Sequence, residues 1–81
     1  MKKVMYFGAG WCKPCAVVKP MILKVVPDVV VVDVDRQADV AKAYGVKSLP
    51  TILVMDNGVE THRFVGLVSE RKVKEVLGES K

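Results

Sequence analysis

Apolar and polar positions alternate along the chain with periods that change at glycine, proline and aspartate. Lys3 to Phe7, KVMYF, reads as a buried strand that Gly8 and Gly10 break. From Cys12 to about Val26 the period is helical. Cys15, Val18, Ile22 and Val25 fall on one face, and Lys13, Pro20 and Lys24 on another. Pro20 lies inside this helix and should kink it, and Pro27-Asp28 ends it. Val29 to Asp35, VVVVDVD, is a run of β-branched residues that predicts a strand covered on both faces, as in a parallel sheet. Asp35 is then placed to cap a short helix running through Tyr44, which Gly45 closes. Thr51 to Met55, TILVM, reads as a third strand, and DNG at Asp56 to Gly58 is a hairpin signal. Val59 to Val65 is the returning strand. Gly66 breaks it, and Ser69 caps a last helix that ends near Leu77.

The predicted order is β-α-β-α-β-β-α, without repeats, linkers or low-complexity segments, so residues 1–81 are expected to form one domain. The first three elements make a βαβ unit, whose crossover should be right-handed. The class is α/β, with a central four-stranded mixed sheet and helices on both faces. A chain this short buries only about 60% of its unfolded surface. A hydrophobic content of 51% offsets that thin core and argues against disorder.

Charge narrows the partners. The formal net charge is +4, but the thirteen Lys and Arg residues are spread along the chain without a block of like charge. That pattern predicts a solvated surface. A nucleic-acid face would need clustered cations with interleaved aromatics, and none is expected. The opening MKKVMYFGAGW resembles a signal peptide only in its two lysines. Its apolar run is short, no small-residue cleavage site follows, and it runs into the cysteine motif. No stretch approaches the ~18 apolar residues of a membrane span. A cytoplasmic protein without a membrane partner is the default expectation, and there a lone C-x-x-C is more often redox-active or metal-binding than structural.

The two cysteines, Cys12 and Cys15, are the whole complement of the chain, in GWCKPCAVVKP. Zinc needs three or four ligands, and the only other soft ligand is His62 in the predicted return strand. No metal is therefore expected. As a staple, a loop this small removes only roughly 2 kcal/mol of chain entropy, and a reducing thiol pool tends to open it. Redox chemistry fits the remaining details. Cys12 falls at the first turn of a helix, where free N–H groups and the dipole favour an anion and lower a thiol pKa. Lys13 adds positive charge beside it. Cys15 lies one turn further, on the apolar face, shielded but within reach. An exposed nucleophile and a buried resolving thiol are what disulfide exchange requires. Pro14 favours the first turn and stiffens the intervening pair. Trp11 flanks the site as a contact surface.

With these motifs in order, the chain resembles the thioredoxin family over nearly its whole length. WCKPC is similar to the family's W-C-G-P-C, with Lys13 in place of glycine. Pro20 falls where members carry a helix-kinking proline. YGVKSLPT resembles Y-G-(I/V)-x-x-(I/L/V)-P-T, whose proline, here Pro50, is cis and sits against the cysteines. DNG matches the hairpin, and FVG with Gly66 matches the glycine after the last strand. The resemblance implies a minimal thioredoxin fold of glutaredoxin dimensions, without the extra N-terminal strand and helix. It implies a thiol–disulfide oxidoreductase in which Cys12 attacks a protein disulfide, Cys15 resolves it, and the pair ends as a redox-active disulfide. Trp11, Leu49, Pro50, Gly66 and Leu67 are the implied substrate platform, and a substrate segment could bond beside Leu49 as an added strand. No cofactor is implied. Electrons are expected from a disulfide reductase, and the protein is expected to act as a monomer.

The chain departs from the family in its buried charge. Tyr6 stands where members carry a buried aspartate, and Val31 replaces the lysine that pairs with it. The C-P-Y-C motif and the glycine pair of glutaredoxins are absent, so a glutathione-coupled enzyme is the lesser reading. A protein-binding adaptor is another, against which the intact cysteine pair and Pro50 argue. Lys13 stabilises the reduced thiolate and makes the disulfide slightly more oxidising. An exposed charge is worth under ~1 kcal/mol, which moves the potential by about 20 mV. The expected potential therefore lies nearer about −270 mV than about −120 mV. Equilibration with glutathione redox buffers checks this, and a value above about −180 mV would assign an oxidant or isomerase instead.

Overall fold

The computed structural model describes residues 2–78. Strand β1 (Lys2–Gly8) leads into helix α1 (Lys13–Val25), strand β2 (Val30–Asp33) and helix α2 (Ala38–Ala43). Strands β3 (Thr51–Asp56) and β4 (Val59–Val65) and helix α3 (Glu70–Gly78) complete the chain. The four strands form one mixed sheet in the order β2-β1-β3-β4, with β1 parallel to β2 and antiparallel to β3. This is the predicted order and class.

β1 is one of the two central strands, and its period-two alternation divides the core. Val4 and Tyr6 face α1 and α3, in a cluster with Cys15, Val18, Ile22, Ile52 and Val73. Met5 and Phe7 face α2, with Val32, Ala41 and Leu53. Leu49 packs against both clusters at one end of the sheet. On α1, Cys15, Val18 and Ile22 are the buried residues, as the helical period predicts, and Pro20 lies within the helix.

β2 departs from expectation. The valine run is an edge strand and not one covered on both faces. Val29 and Val32 are buried, but Val30 and Val31 are 37% and 39% exposed. Each strand residue of an edge has one neighbour only, so a β-branched run does not by itself secure a central position. The capping of α2 also differs. Its N-cap is Gln37, without a side-chain bond. Asp33 Oδ1 accepts from the Asp35 amide at 2.9 Å, which turns the chain two residues earlier. Gly45, at φ +66, closes the helix as expected, and Val46 N–H returns to Ala41 O at 2.9 Å.

The hairpin and the last helix follow their local signals. Asn57 (φ 52) and Gly58 (φ 83) form the two-residue turn between Asp56 and Val59. A bulge beside Val54 and Met55 lets Thr61 Oγ1 donate to Val54 O at 3.1 Å. Ser69 Oγ accepts from the Lys72 amide at 3.1 Å and caps α3. Lys24 Nζ reaches Glu70 Oε1 at 3.2 Å and ties α1 to α3 at the surface. Arg63 donates to the carbonyls of Tyr44 at 2.7 Å and Gly45 at 3.3 Å, so β4 holds the end of α2.

Gly8 is required by Tyr6, its same-face neighbour two residues back. A Cβ there would overlap the Tyr6 hydroxyl and lie 2.7 Å from Cζ of a buried ring. Gly8→Ala is expected to destabilise the protein by about 1–3 kcal/mol through overpacking. Urea denaturation midpoints, compared with wild type, check this.

Candidate active site

The site is built where β1 ends and α1 begins. Gly8 ends the strand, Ala9 and Gly10 carry the chain over the sheet edge, and Cys12 N–H donates to Ala9 O at 3.2 Å. Cys12 is the N-cap of α1 at φ −85, ψ 111, so the helix begins at Lys13, one residue later than predicted, and the Cys12 side chain makes no capping bond. Lys13 and Pro14 form the first turn, both exposed, and Cys15 follows. Cys12 and Cys15 form a disulfide, with Cα atoms 5.3 Å apart. This is within the ordinary range for a bridged pair.

The cysteines are less unequal in exposure than expected. Cys12 is 8% exposed and Cys15 3%. Both belong to the core cluster on the α1 face, where the bond joins them. The positive end of α1 still lies at Cys12, since the amides of a first turn lack helical partners.

Around the pair, the predicted platform residues divide into two groups. Trp11 is 68% exposed, and its indole N–H donates to Asp35 Oδ2 at 2.9 Å. Asp35, expected to cap α2, instead holds the tryptophan beside the cysteines. Trp11 and Leu49 line one groove, of about 320 Å³, together with Val34, Ala41, Val46 and Lys47. The Leu49–Pro50 bond is cis, and Pro50 is buried. Gly66, at φ +83, donates its N–H to Pro50 O at 2.8 Å, which joins the end of β4 to this loop. Leu67 is exposed and borders neither cleft beside the cysteines.

A second cleft, of about 260 Å³, opens behind the disulfide. Tyr6, Gly8, Cys12, Cys15, Lys19 and Asp33 are among its walls. Tyr6 and Val31 are register partners across β1 and β2, so the two departures from the family pattern are neighbours in space. Tyr6 is 2% exposed, and its hydroxyl approaches Cys15 O at 3.5 Å. Burial pushes its pKa up. His62 lies on β4, where Nδ1 is 3.2 Å from Thr61 Oγ1. Among the described residues, no three His, Cys, Asp or Glu side chains gather as a metal site would require, and no helix is long and apolar enough to cross a membrane.

Sequence reasoning overlooked Asp35 as the tryptophan's acceptor, Gly8 as the seat of the tyrosine ring, and Arg63 as the clamp on α2. The second had a legible signal, an aromatic residue followed two places later by glycine in a strand.

Comparison with known proteins agrees with this geometry. The family model described as Thioredoxin matches residues 1–79. A thioredoxin of Mycoplasma pneumoniae is 35% identical, over 96% of this chain and 81% of its own length. A thioredoxin of Mycoplasma genitalium is 39% identical, over 86% of this chain and 74% of its own. Among solved structures, Fasciola hepatica thioredoxin superposes with a TM-score of 0.81 at 34% identity, covering 99% of this chain and 81% of that one. A mutant thioredoxin from Halobacterium salinarum gives a TM-score of 0.89 at 29% identity, covering 96% and 73%.

The raised pKa of Tyr6 fixes the sign of an alkaline effect. Just above a free phenol's pKa of about 10, the unfolded chain has lost this proton and the native state keeps it. The native state then binds more protons, so stability falls as pH rises. Above about pH 10, wild-type stability is expected to fall more steeply with pH than that of Tyr6→Phe, and the two slopes should match near neutrality. Urea midpoints across that range check this, and equal slopes throughout would place the phenol in solvent.

Proposed function

We propose that Cys12 is the attacking thiol and Cys15 the resolving thiol of this chain, which belongs to the thioredoxin family and is a thiol–disulfide oxidoreductase. The observation that carries the assignment is the Cys12–Cys15 disulfide, with Cys12 at the N-cap of α1 and Cys15 on its buried face. In the reduced protein the Cys12 thiolate occupies the position from which an N-cap side chain accepts an amide hydrogen of the first turn. Pro14 has no N–H to offer there, which leaves the Cys15 amide as that donor. The helix dipole and the exposed Lys13 ammonium add to the preference for the anion.

The reaction proceeds by two displacements. The Cys12 sulfur attacks one sulfur of a substrate disulfide, and the other leaves as a thiolate. Cys15, deprotonated, then attacks Cys12 Sγ and expels the second substrate sulfur. Two electrons pass to the substrate, the departing thiolates take protons from water, and the Cys12–Cys15 bond is the product. The protein acts mainly as a reductant of protein disulfides.

Trp11 and Leu49 form the apolar surface that receives the substrate, with Gly66 and exposed Leu67 at its margin and buried Pro50 as its support. The exposed indole of Trp11 and the groove it shares with Leu49 support this reading. An extended substrate segment lies along the backbone beside Leu49, as an added strand would. A disulfide reductase of the flavin-dependent class returns the electrons. The protein works as a monomeric domain in the cytoplasm and carries no cofactor.

Alkylation of the reduced protein tests the assignment of the thiols. Iodoacetamide near neutral pH is expected to modify Cys12 and spare Cys15, and Cys15→Ser is expected to accumulate mixed disulfides with protein substrates. Equal labelling of both thiols in the native state would overturn the assignment.

A further inference from the structure

The buried phenol behind the disulfide exchanges no bond in the two displacements, but its surroundings give it a part in them. Among the described residues, the Tyr6 hydroxyl has one polar neighbour, the main-chain carbonyl of Cys15 on α1 at 3.5 Å, the long limit for such a bond. The O–H is therefore held at the resolving cysteine without being committed to a strong acceptor. Gly8 leaves open the space into which the hydroxyl projects. The cleft there, about 260 Å³, has both cysteines in its wall and exposed Gly10 and Lys19 among its lining residues. Since liquid water occupies about 30 Å³ per molecule, it has room for several waters.

Charged groups facing the cleft are few. Lys19 comes from α1 and Asp33 from β2, and Asp33 is the sole carboxylate among the lining residues. One oxygen of Asp33 already accepts the Asp35 amide. β3 and α3 bring Ile52 and Val73 to this face of the core. Among the residues lining the cleft, Tyr6 carries the one side-chain hydroxyl, in the same wall as Cys15.

We propose that Tyr6 is a positioning residue for the second displacement, a neutral O–H donor that steadies Cys15 as a thiolate while it attacks the mixed disulfide. This rests on Cys15 being the resolving thiol. The Cys15 thiol gives its proton to cleft water, and the phenol keeps its own. The Cys15 sulfur bonds to Cys12 Sγ, the bond from Cys12 to the substrate breaks, and the substrate sulfur leaves with the electron pair. A phenol is protonated at neutral pH on its ordinary pKa of about 10, and burial raises it further, so it donates a hydrogen bond and does not serve as a base. The pH dependence of resolution then follows Cys15 itself.

Single turnover of the reduced full chain with 5,5′-dithiobis-(2-nitrobenzoate) separates the steps. Attack by Cys12 releases the first coloured thiolate, and resolution by Cys15 releases the second. Tyr6→Phe is expected to leave the first release unchanged and to slow the second by roughly tenfold at pH 7, with its pH profile displaced upward by about one unit, as loss of a hydrogen bond to a charged group implies. Fluorotyrosine at position 6, a stronger donor, should displace the profile downward, and it serves as the test if Tyr6→Phe does not fold. A second release whose pH profile is unmoved by either replacement overturns the role of Tyr6. Release of one equivalent only from the wild type overturns the assignment of Cys15, and the proposal with it.

Discussion

The register of β1 is the constraint on which the remaining structure depends. This strand is paired on both edges, parallel to β2 and antiparallel to β3, and is covered on both faces. Alternation sends Val4 and Tyr6 toward α1 and α3, and Met5 and Phe7 toward α2. A slip of one residue would exchange the two faces and bring Tyr6 out from behind the cysteines. The same register fixes where the strand stops. Gly8 is its last residue, and the short link through Ala9 and Gly10 sets Cys12 at the N-cap of α1. The reactive pair is thus positioned by the most heavily buried strand of the sheet, and not by a mobile loop.

From the other side, the site is closed by groups that converge from distant parts of the chain. Leu49 touches both core clusters, Pro50 accepts the Gly66 amide, and Trp11 is fastened to Asp35. Each contact joins one loop at the same end of the sheet to another. Arg63 adds a further link, since it holds the carbonyls at the end of α2 from β4. Loops at one end of a rigid sheet are where such folds place their chemistry, because the strands fix loop origins while leaving their side chains free to vary.

Elements whose determinants are local were legible in the sequence. The buried face of α1 follows from residues three and four apart, the hairpin from Asn57-Gly58, and the α3 cap from Ser69. The features that were misread depend on partners far along the chain. The valine run of β2 has the composition of a covered strand, yet only the sheet order decides that it lies at an edge. Asp35 has the chemistry of a cap, but Asp33 turns the chain first and Trp11, 24 residues away, takes the freed carboxylate. The cysteine pair was legible as redox chemistry because its function needs only a helix start and a spacing of three. Its near-equal burial was not, because that reflects the bond between the two sulfurs and their shared place in the core.

The distribution of charge around the cysteines separates the two thiols chemically. Lys13 on α1 is exposed, and Lys47 lies at the rim of the groove that Trp11 and Leu49 line. The field of such exposed cations passes through water, so salt attenuates it over about a Debye length. The amides at the start of α1 act at closer range and are part of the fold. Behind Cys15 a phenol and a valine, Tyr6 and Val31, stand in register with each other. An ionised carboxylate there would have been costly to bury beside Val18, Ile22 and Ile52, whereas a phenol satisfies the same space with one neutral donor. Exposed charge thus lies on the outer side of the cysteine pair, and packed, largely neutral groups on the inner side. A protein that must first attack and then resolve needs its two thiols tuned independently, and the split between an outer charged rim and an inner neutral cleft provides for that.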